Sequence, residues 1–257
     1  MSDAISRAEA TELSRQADAP IPVGVDAPLL DVMATMRAMR RLSTDPVDRD
    51  VIERIVRAAT WAPSGSDGQH YAFVAVTDRQ VMTRLAELWR EVVDTYMTLA
   101  GTLVPGMDDD RHARMADAVR YQAEHFHQTP VVVAACYRRS SPRASSMPDL
   151  RRGSAIAREL GAKRIVQLAA GARAVGGMAE ASSIYPAVQN LLLAARAEGL
   201  GATLTIWHLF REAAFRQVLG VPKEYGIYAL VPMGHPLGKF GPVRRRPVED
   251  VLHWDRW

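Results

Sequence analysis

Apolar residues at three-residue spacing open the ordered part of the chain. Leu30, Met33, Met36 and Met39 fall on one stripe and predict a helix from about residue 29. Pro46 interrupts it, and after Asp48 a second stripe, Val51, Ile52, Ile55, Val56 and Ala59, predicts another helix. The pattern then changes to the continuous apolar run Y-A-F-V-A-V, which predicts a strand over 71–77. Helical spacing returns from Arg79 to about Leu99 and is broken by G-T-L-V-P-G. The acidic D-D-D of 108–110 suits the N-terminus of a further helix, reaching about His127. Pro130 then introduces the strand V-V-V-A-A-C-Y.

In I-Y-P-A-V-Q-N-L-L-L-A-A-R-A-E-G-L-G, residues 184–201, apolar positions cover most of the helix circumference. That predicts a helix buried nearly all round, with Gly199 as its terminating glycine. A strand A-T-L-T-I-W follows, then a short helix around 211–219 and a strand I-Y-A-L-V-P-M-G. The order is helix, helix, strand, helix, helix, strand, helix, strand, helix, strand, tail. It predicts an α+β fold, a modest mixed sheet flanked by helices. Three segments stand outside this pattern. Residues 1–26 read as a loose polar arm ahead of a domain spanning 27–257. Residues 138–177 form a basic, Ser- and Pro-rich insertion whose later part has helical character. The tail 238–257 has little core of its own and must lie along something else.

At 257 residues, with 48% hydrophobic and 24% charged positions, the chain has room for one substantial core. A formal charge of +3 is too small to argue for nucleic acid. The single cysteine, Cys136, allows no intrachain disulfide, and its apolar run predicts a buried, inert thiol. The N-terminus lacks the apolar core of a signal peptide, and no stretch of about 18 apolar residues predicts a membrane span. A cytoplasmic location is the default expectation. Neither G-x-G-x-x-G after a strand nor G-x-x-x-x-G-K-[ST] occurs, so no dinucleotide fold motif and no phosphate-binding P-loop is expected.

Three clusters carry candidate chemistry: M-R-A-M-R-R-L at 36–42, P-S-G-S-D-G-Q at 63–69, and R-R-R-P at 244–247. Arginine presents a fixed fork of donors that fits phosphate oxygens. Small residues let backbone amides approach an anion or a planar ring edge. Each cluster alone is equally a solvated face or a plain turn. His125 and His127 sit at a helix end and, two residues apart, do not face one another, so no metal site is expected. Trp89, Tyr96, Met97 and Phe126 suit either core packing or the wall of an aromatic acceptor site.

Taken in order, R-A-M-R-R-L-S-T-D-P-V, W-A-P-S-G-S-D-G-Q, P-A-V-Q-N-L-L-L-A-A-R-A-E-G-L-G-A and a late R-R-P resemble the FMN-dependent nitroreductase family across about 28–257, insertion excluded. The ending F-G-P-V-R-R-R-P-V-E-D-V-L-H-W-D-R-W looks like an actinobacterial-type branch. The resemblance implies an intertwined homodimer with FMN between subunits and the tail wrapping the neighbour. Against the family's R-R-S-x-R segment, Arg37 and Arg40 match, while Met36 and Ala38 depart, which shifts weight to Arg41 and the distal arginines. Pro63, Ser64 and Gly65 match a turn that reaches FMN held mainly by the other subunit. Asp67 stands where Asn is usual, with Gln69 beside it. Leu204 and Thr205 match the segment along the flavin's reactive edge, and Arg245 a late phosphate-binding arginine. The implied activity is ping-pong transfer of electrons from NADH or NADPH through FMN to an electron-poor acceptor such as a nitroaromatic or a quinone, with no protein nucleophile or proton-transfer residue nominated. A dehalogenase or flavin-fragmenting enzyme of the same fold, or a non-catalytic flavin-binding protein, are the alternatives.

Overall fold

The computed structural model describes residues 26–100, 109–139 and 178–257. The elements run α1 (Leu29–Thr35), α2 (Arg49–Thr60), β1 (Tyr71–Val76), α3 (Arg79–Ala100), α4 (Asp109–His125), β2 (Val131–Arg138), α5 (178–197), β3 (Gly201–Ala202), α6 (Glu212–Leu219) and β4 (Tyr225–Gly234). This is the order of helices and strands that the periodicity predicts. The arm 1–25 and nearly all of the insertion, 140–177, lie outside the described residues.

The four strands form one sheet in the order β1-β2-β4-β3. Every ladder in it is antiparallel, and the parallel component is a single bridge between Ala38 and Ala202. Strand β2 explains the layering. Its odd residues Val131, Val133, Ala135 and Tyr137 join a core with Ile52, Ile55 and Ala59 of α2 and Ile184, Val188 and Leu191 of α5. Its even residues Val132, Ala134 and Cys136 join a second core with Met82, Leu85 and Trp89 of α3, Val119 of α4 and Phe215 of α6. The uninterrupted apolar run is thus the signature of a strand covered by helices on both faces. Each fully buried aliphatic side chain contributes about 1.5–3 kcal/mol. Cys136 is buried, as its surroundings predict, and burial pushes its thiol up to about 11.

Helix α5 ends as expected. Gly199 adopts φ +80°, and the Leu200 amide reaches back to the Ala195 carbonyl at 2.8 Å. Its burial is one-sided within a single chain. Ile184, Ala187, Val188, Leu191, Leu192 and Ala195 are buried, whereas Tyr185, Leu193 and Ala194 are half-exposed and Gln189 is exposed.

Two elements are shorter than predicted. The first helix stops at Thr35, and Met36 is already extended, with ψ 115°. Residues 38–43 take sheet-like partners instead: Met39 N–H bonds Ala202 O at 3.0 Å, and Ser43 N–H bonds His235 O at 2.8 Å. Long-range pairing therefore overrides the three-residue stripe. Met39 is buried, whereas Leu30 and Met33 stay exposed on α1. The strand expected over 202–207 is regular only at Gly201–Ala202. Thr203 N–H bonds Pro232 O at 3.2 Å, but Pro232 has no N–H to return, so the ladder lapses until Thr205 and Leu230 exchange bonds at 2.9 and 3.0 Å.

The first part of the tail folds back along the chain's own N-terminal segment. Leu237 N–H bonds Arg41 O at 3.0 Å, and Val243 N–H bonds Ala34 O at 2.8 Å. Beyond it Val248, Val251, Leu252, Trp254 and Trp257 are exposed. Together with Leu29, Leu30 and Met33 they form apolar surface that a lone chain leaves in water. Among the described residues, no helix is long and apolar enough to cross a membrane.

Candidate functional site

The arginine segment is a strip held on both sides. Ala38 bridges Ala202, and Leu42 bridges Pro236. Gly201 permits this approach, because a Cβ there would stand 3.0 Å from Met39 Cβ and 3.2 Å from both Leu42 Cδ2 and Pro236 Cβ. Arg37 is exposed and donates to Lys239 O at 3.0 Å. Arg41 lies over the Tyr121 ring at 4.8 Å, a cation–π contact. Arg40 turns inward and has no hydrogen bond or ion pair among the described residues. Burial pushes its pKa down, the mark of a cation short of solvent and of an acceptor.

Arg40 faces the ledge of residues 203–207, where Leu204 and Ile206 are exposed and Thr205 is half-buried. Behind the ledge lies a cavity of about 150 Å³ between the 203–207 backbone and helices α3 and α4. Trp207 forms one wall, stacked on Tyr96 at 3.7 Å and on Trp89 at 5.9 Å. Of the four residues proposed as core or acceptor wall, Trp89 and Phe126 are core, and Trp89 also lines this cavity. His208 anchors the ledge from below. It is fully buried, its Nε2 lies 2.9 Å from Ile227 O, and burial lowers its pKa, so the ring is neutral near pH 7.

The second half of the site is the loop before β1. Its amides are taken internally: Gly65 N–H donates to Ser183 Oγ (3.0 Å), Asp67 N–H to Ser64 O (3.0 Å), Gly68 N–H to Gly65 O (3.0 Å) and Gln69 N–H to Ser64 Oγ (3.0 Å). Gln69 Nε2 also bonds Asp67 Oδ1 at 2.9 Å. Three non-glycine residues are left-handed here, Ser66 (φ 53°), Asp67 (φ 51°) and Gln69 (φ 48°). Such conformations persist only when the surroundings impose them, and they concentrate at functional sites. Four of the loop's amides are thus spent on its own shape and on Ser183, and Pro63 and the polar side chains face outward. Ser183, the brace from α5, escaped the sequence reading, since S-S-I-Y carries no motif.

The structure does not bring these two halves together within one chain. The loop feeds the edge strand β1, while the arginine strip lies beside β3 at the opposite edge, about 14 Å across three strand spacings. Helix α5 spans the gap. Ser183 braces the loop at one end and Arg196 Nε donates to Thr35 Oγ1 at 3.0 Å at the other, about 20 Å along the axis. Arg245 joins neither half: it is exposed, and its Nη1 donates to the adjacent Arg244 carbonyl at 2.9 Å.

Other ionisable groups are tied into the chain's own contacts. Burial pushes the Glu212 carboxyl up, but the Ile227 amide, Arg139 at 2.6 Å and Arg216 at 2.5 Å outweigh it and hold the pKa below the ordinary value. Tyr228 donates to Glu180, and its hydroxyl is pushed up by burial and by that carboxylate. His125 stacks on Tyr121 at 4.0 Å with its Nδ1 2.9 Å from Tyr121 O. No group of three His, Cys, Asp or Glu among the described residues is placed to hold a metal.

An antiparallel sheet buried between two helical layers, with a polar segment at each of its two edges, defines an α+β protein. The chain belongs to the Nitroreductase family, whose sequence model matches residues 34–235. It is 26% identical to an NADH dehydrogenase of Thermus thermophilus over 233 residues, 88% of this chain and 97% of that protein. It is also 37% identical to the iodotyrosine deiodinase of Danio rerio, but over only 60 residues, 23% of this chain and 20% of that one. Among solved structures, an oxidized iodotyrosine deiodinase bound to FMN and 3-iodo-L-tyrosine superposes with a TM-score of 0.63 at 18% identity, covering 90% of this chain and all (100%) of that one.

Proposed function

We propose that the protein is an FMN-dependent oxidoreductase that takes electrons from NADH or NADPH and passes them, by a ping-pong cycle, to an electron-poor acceptor such as a nitroaromatic or a quinone. The observation that carries this reading is the half-buried Arg40 guanidinium, without an acceptor among the described residues, beside the ledge at Leu204 and Thr205. A desolvated cation next to an apolar ledge fits the planar, anionic edge of a reduced flavin, and a fixed positive charge there needs no reorganisation when negative charge develops. Bound FMN supplies the two-electron chemistry.

The chain's own residues bind and orient. Arg37, Ala38 and Arg41 line the strip that takes the ribityl–phosphate side; Arg245, which joins neither half within one chain, is assigned to the phosphate from the tail of the second copy. Pro63, Ser64, Gly65, Asp67 and Gln69 complete the site from a second copy, because within one chain α5 holds the two halves apart. This makes the functional unit a homodimer. The exposed apolar flank of α1 and the apolar residues of 248–257 support it, and the half-exposed side of α5 belongs to the same interface. The tail sequence resembles that of an actinobacterial-type branch, and a cytoplasmic site of action suits a single buried thiol.

The test is a visible spectrum of the purified protein, then anaerobic addition of NADH or NADPH. The expected result is a flavin spectrum that bleaches with one donor and is restored by a nitroaromatic or quinone. Flavin that refuses to bleach would leave a binding protein, and failure to bind added FMN would remove the reading altogether. A second reading, reductive dehalogenation, is favoured by the local likeness to the deiodinase. Release of iodide from iodotyrosine by the reduced protein decides for it.

A further inference from the structure

A second cavity, of about 500 Å³, lies where the end of β1 meets the start of β2, and it shares no lining residue with the ledge. Three segments wall it: Thr44 and Val47 beyond the arginine strip, Thr77 and Arg79 between β1 and α3, and Gln128 and Pro130 ahead of β2. Val47 and Pro130 are buried and give it an apolar floor, whereas Thr44, Thr77 and Gln128 are exposed at its rim. No carboxylate lines it. Asp45 and Asp78 are close in sequence, but Asp45 Oδ2 accepts from Ser43 Oγ at 2.8 Å and Asp78 Oδ1 accepts from the Val81 amide at 2.8 Å.

Arg79 is held rigidly by one of its nitrogens and left open at the others. Its Nη2 donates to the Thr129 carbonyl at 2.9 Å and to the Pro130 carbonyl at 3.0 Å, which accounts for both protons of that nitrogen. Nε and Nη1 reach the Thr77 and His127 carbonyls only at 3.4 Å, the weak end of hydrogen bonding, and the second Nη1 proton has no partner among the described residues. Arg79 makes no ion pair among the described residues either, so carbonyl dipoles position the guanidinium without neutralising it. A cation fixed in advance loses little freedom on binding. The open edge presents the fork that fits an oxyanion with two parallel bonds.

Size and lining narrow the ligand. About 500 Å³ falls in the range of small-molecule sites and is far more than an inorganic ion fills, and the floor of Val47 and Pro130 needs an apolar body to cover it. A carboxylate offers two oxygens, both taken by the fork. A phosphate offers a third, for which the Thr44 and Thr77 hydroxyls and the Gln128 amide are further donors. We propose that this cavity binds a small phosphate monoester, with its phosphate on Arg79 and its apolar body on Val47 and Pro130. The site is separate from the flavin ledge and stands whether or not the chain is an oxidoreductase.

The experiment is calorimetric titration of the full-length protein, FMN-free and FMN-loaded, with phenyl phosphate, inorganic phosphate and benzoate. Phenyl phosphate is expected to bind about tenfold more tightly than either of the others, a difference of about 1.4 kcal/mol. Thr44→Glu sets a carboxylate at the rim and is expected to weaken phenyl phosphate about tenfold. Thr44 is exposed and makes no hydrogen bond among the described residues, so the melting temperature is expected to hold. Arg79→Lys keeps the charge but loses the fork, and is expected to weaken phenyl phosphate at least as much. That variant also strips the Thr129 and Pro130 carbonyls of their donor, so Thr44→Glu separates lost recognition from lost folding. Absence of phenyl phosphate binding, equal affinity for benzoate or for inorganic phosphate, or unchanged affinity in Thr44→Glu overturns the proposal. So does loss of phenyl phosphate binding on loading FMN, which would give the cavity to the flavin phosphate. Failure of the chain to bind FMN leaves the titration of the FMN-free protein intact, so the two readings fail separately.

Discussion

The loop 64–69 and the strip 37–43 are both short irregular segments, yet they are held in place by opposite means. The loop is shaped from within: its amides bond its own Ser64 and Gly65, and a single outside brace, Ser183, fixes it to α5. The strip has almost no bonds of its own and is shaped from outside, by Ala202 on one side and His235, Pro236 and Leu237 on the other. The loop stores local backbone strain, whereas the strip keeps a desolvated arginine. A self-contained turn can present fixed side chains to something arriving from elsewhere, such as a second copy. A strip clamped between strands can hold a charge where water would otherwise screen it.

The comparison can be broken first at the strip. Gly201→Ala places a Cβ within 3.2 Å of three side-chain atoms, so the strip must move or the sheet edge must yield. We expect a loss of about 2 kcal/mol in urea unfolding, the usual cost of overpacking, together with weaker FMN binding. Unchanged stability would show that the strip is not clamped. Next, Ser183→Ala removes the loop's outside brace and leaves the Gly65 amide without its acceptor. The expected cost is about 1 kcal/mol, with flavin occupancy falling while the melting of the arginine end is unaffected. The smallest effect sharpens the contrast. Ser66→Gly relieves a left-handed residue worth about 1–2 kcal/mol and adds about 0.5–1 kcal/mol of unfolded-state entropy. The protein should therefore gain about 0.5 kcal/mol. A loss would mean that the loop is not strained.

The order of all ten elements was legible in the sequence because most of them bury a continuous stripe or run. Gly199 and Cys136 were legible for the same local reasons. The departures have non-local causes. The end of α1 at Thr35 depends on Ala202 and His235, residues more than 150 positions away, and no window around Met36 contains them. The lapse of the strand after Ala202 depends on Pro232, a proline that reads as harmless until its partner is known. The site divides similarly. Arginines and small loop residues announce themselves by type and spacing, but Ser183 matters only because α5 brings its hydroxyl beside the loop.

Strand β2 has one further consequence. Register in a half-buried sheet is policed by wetting, since a one-residue slip turns the apolar set toward water. With helices on both faces, β2 has no wet side, and a slip would merely exchange one oily lining for another. Its alignment must then be keyed by shape. The key is at the end of β4, where Gly234 meets the Pro130 ring so closely that a Cβ would lie 2.9 Å from it. Moved by one place, the strand would thrust the Met233 side chain into a notch cut for a hydrogen atom. The alignment of the whole central sheet is thus fixed less by solubility than by the fit of one tooth in one gap.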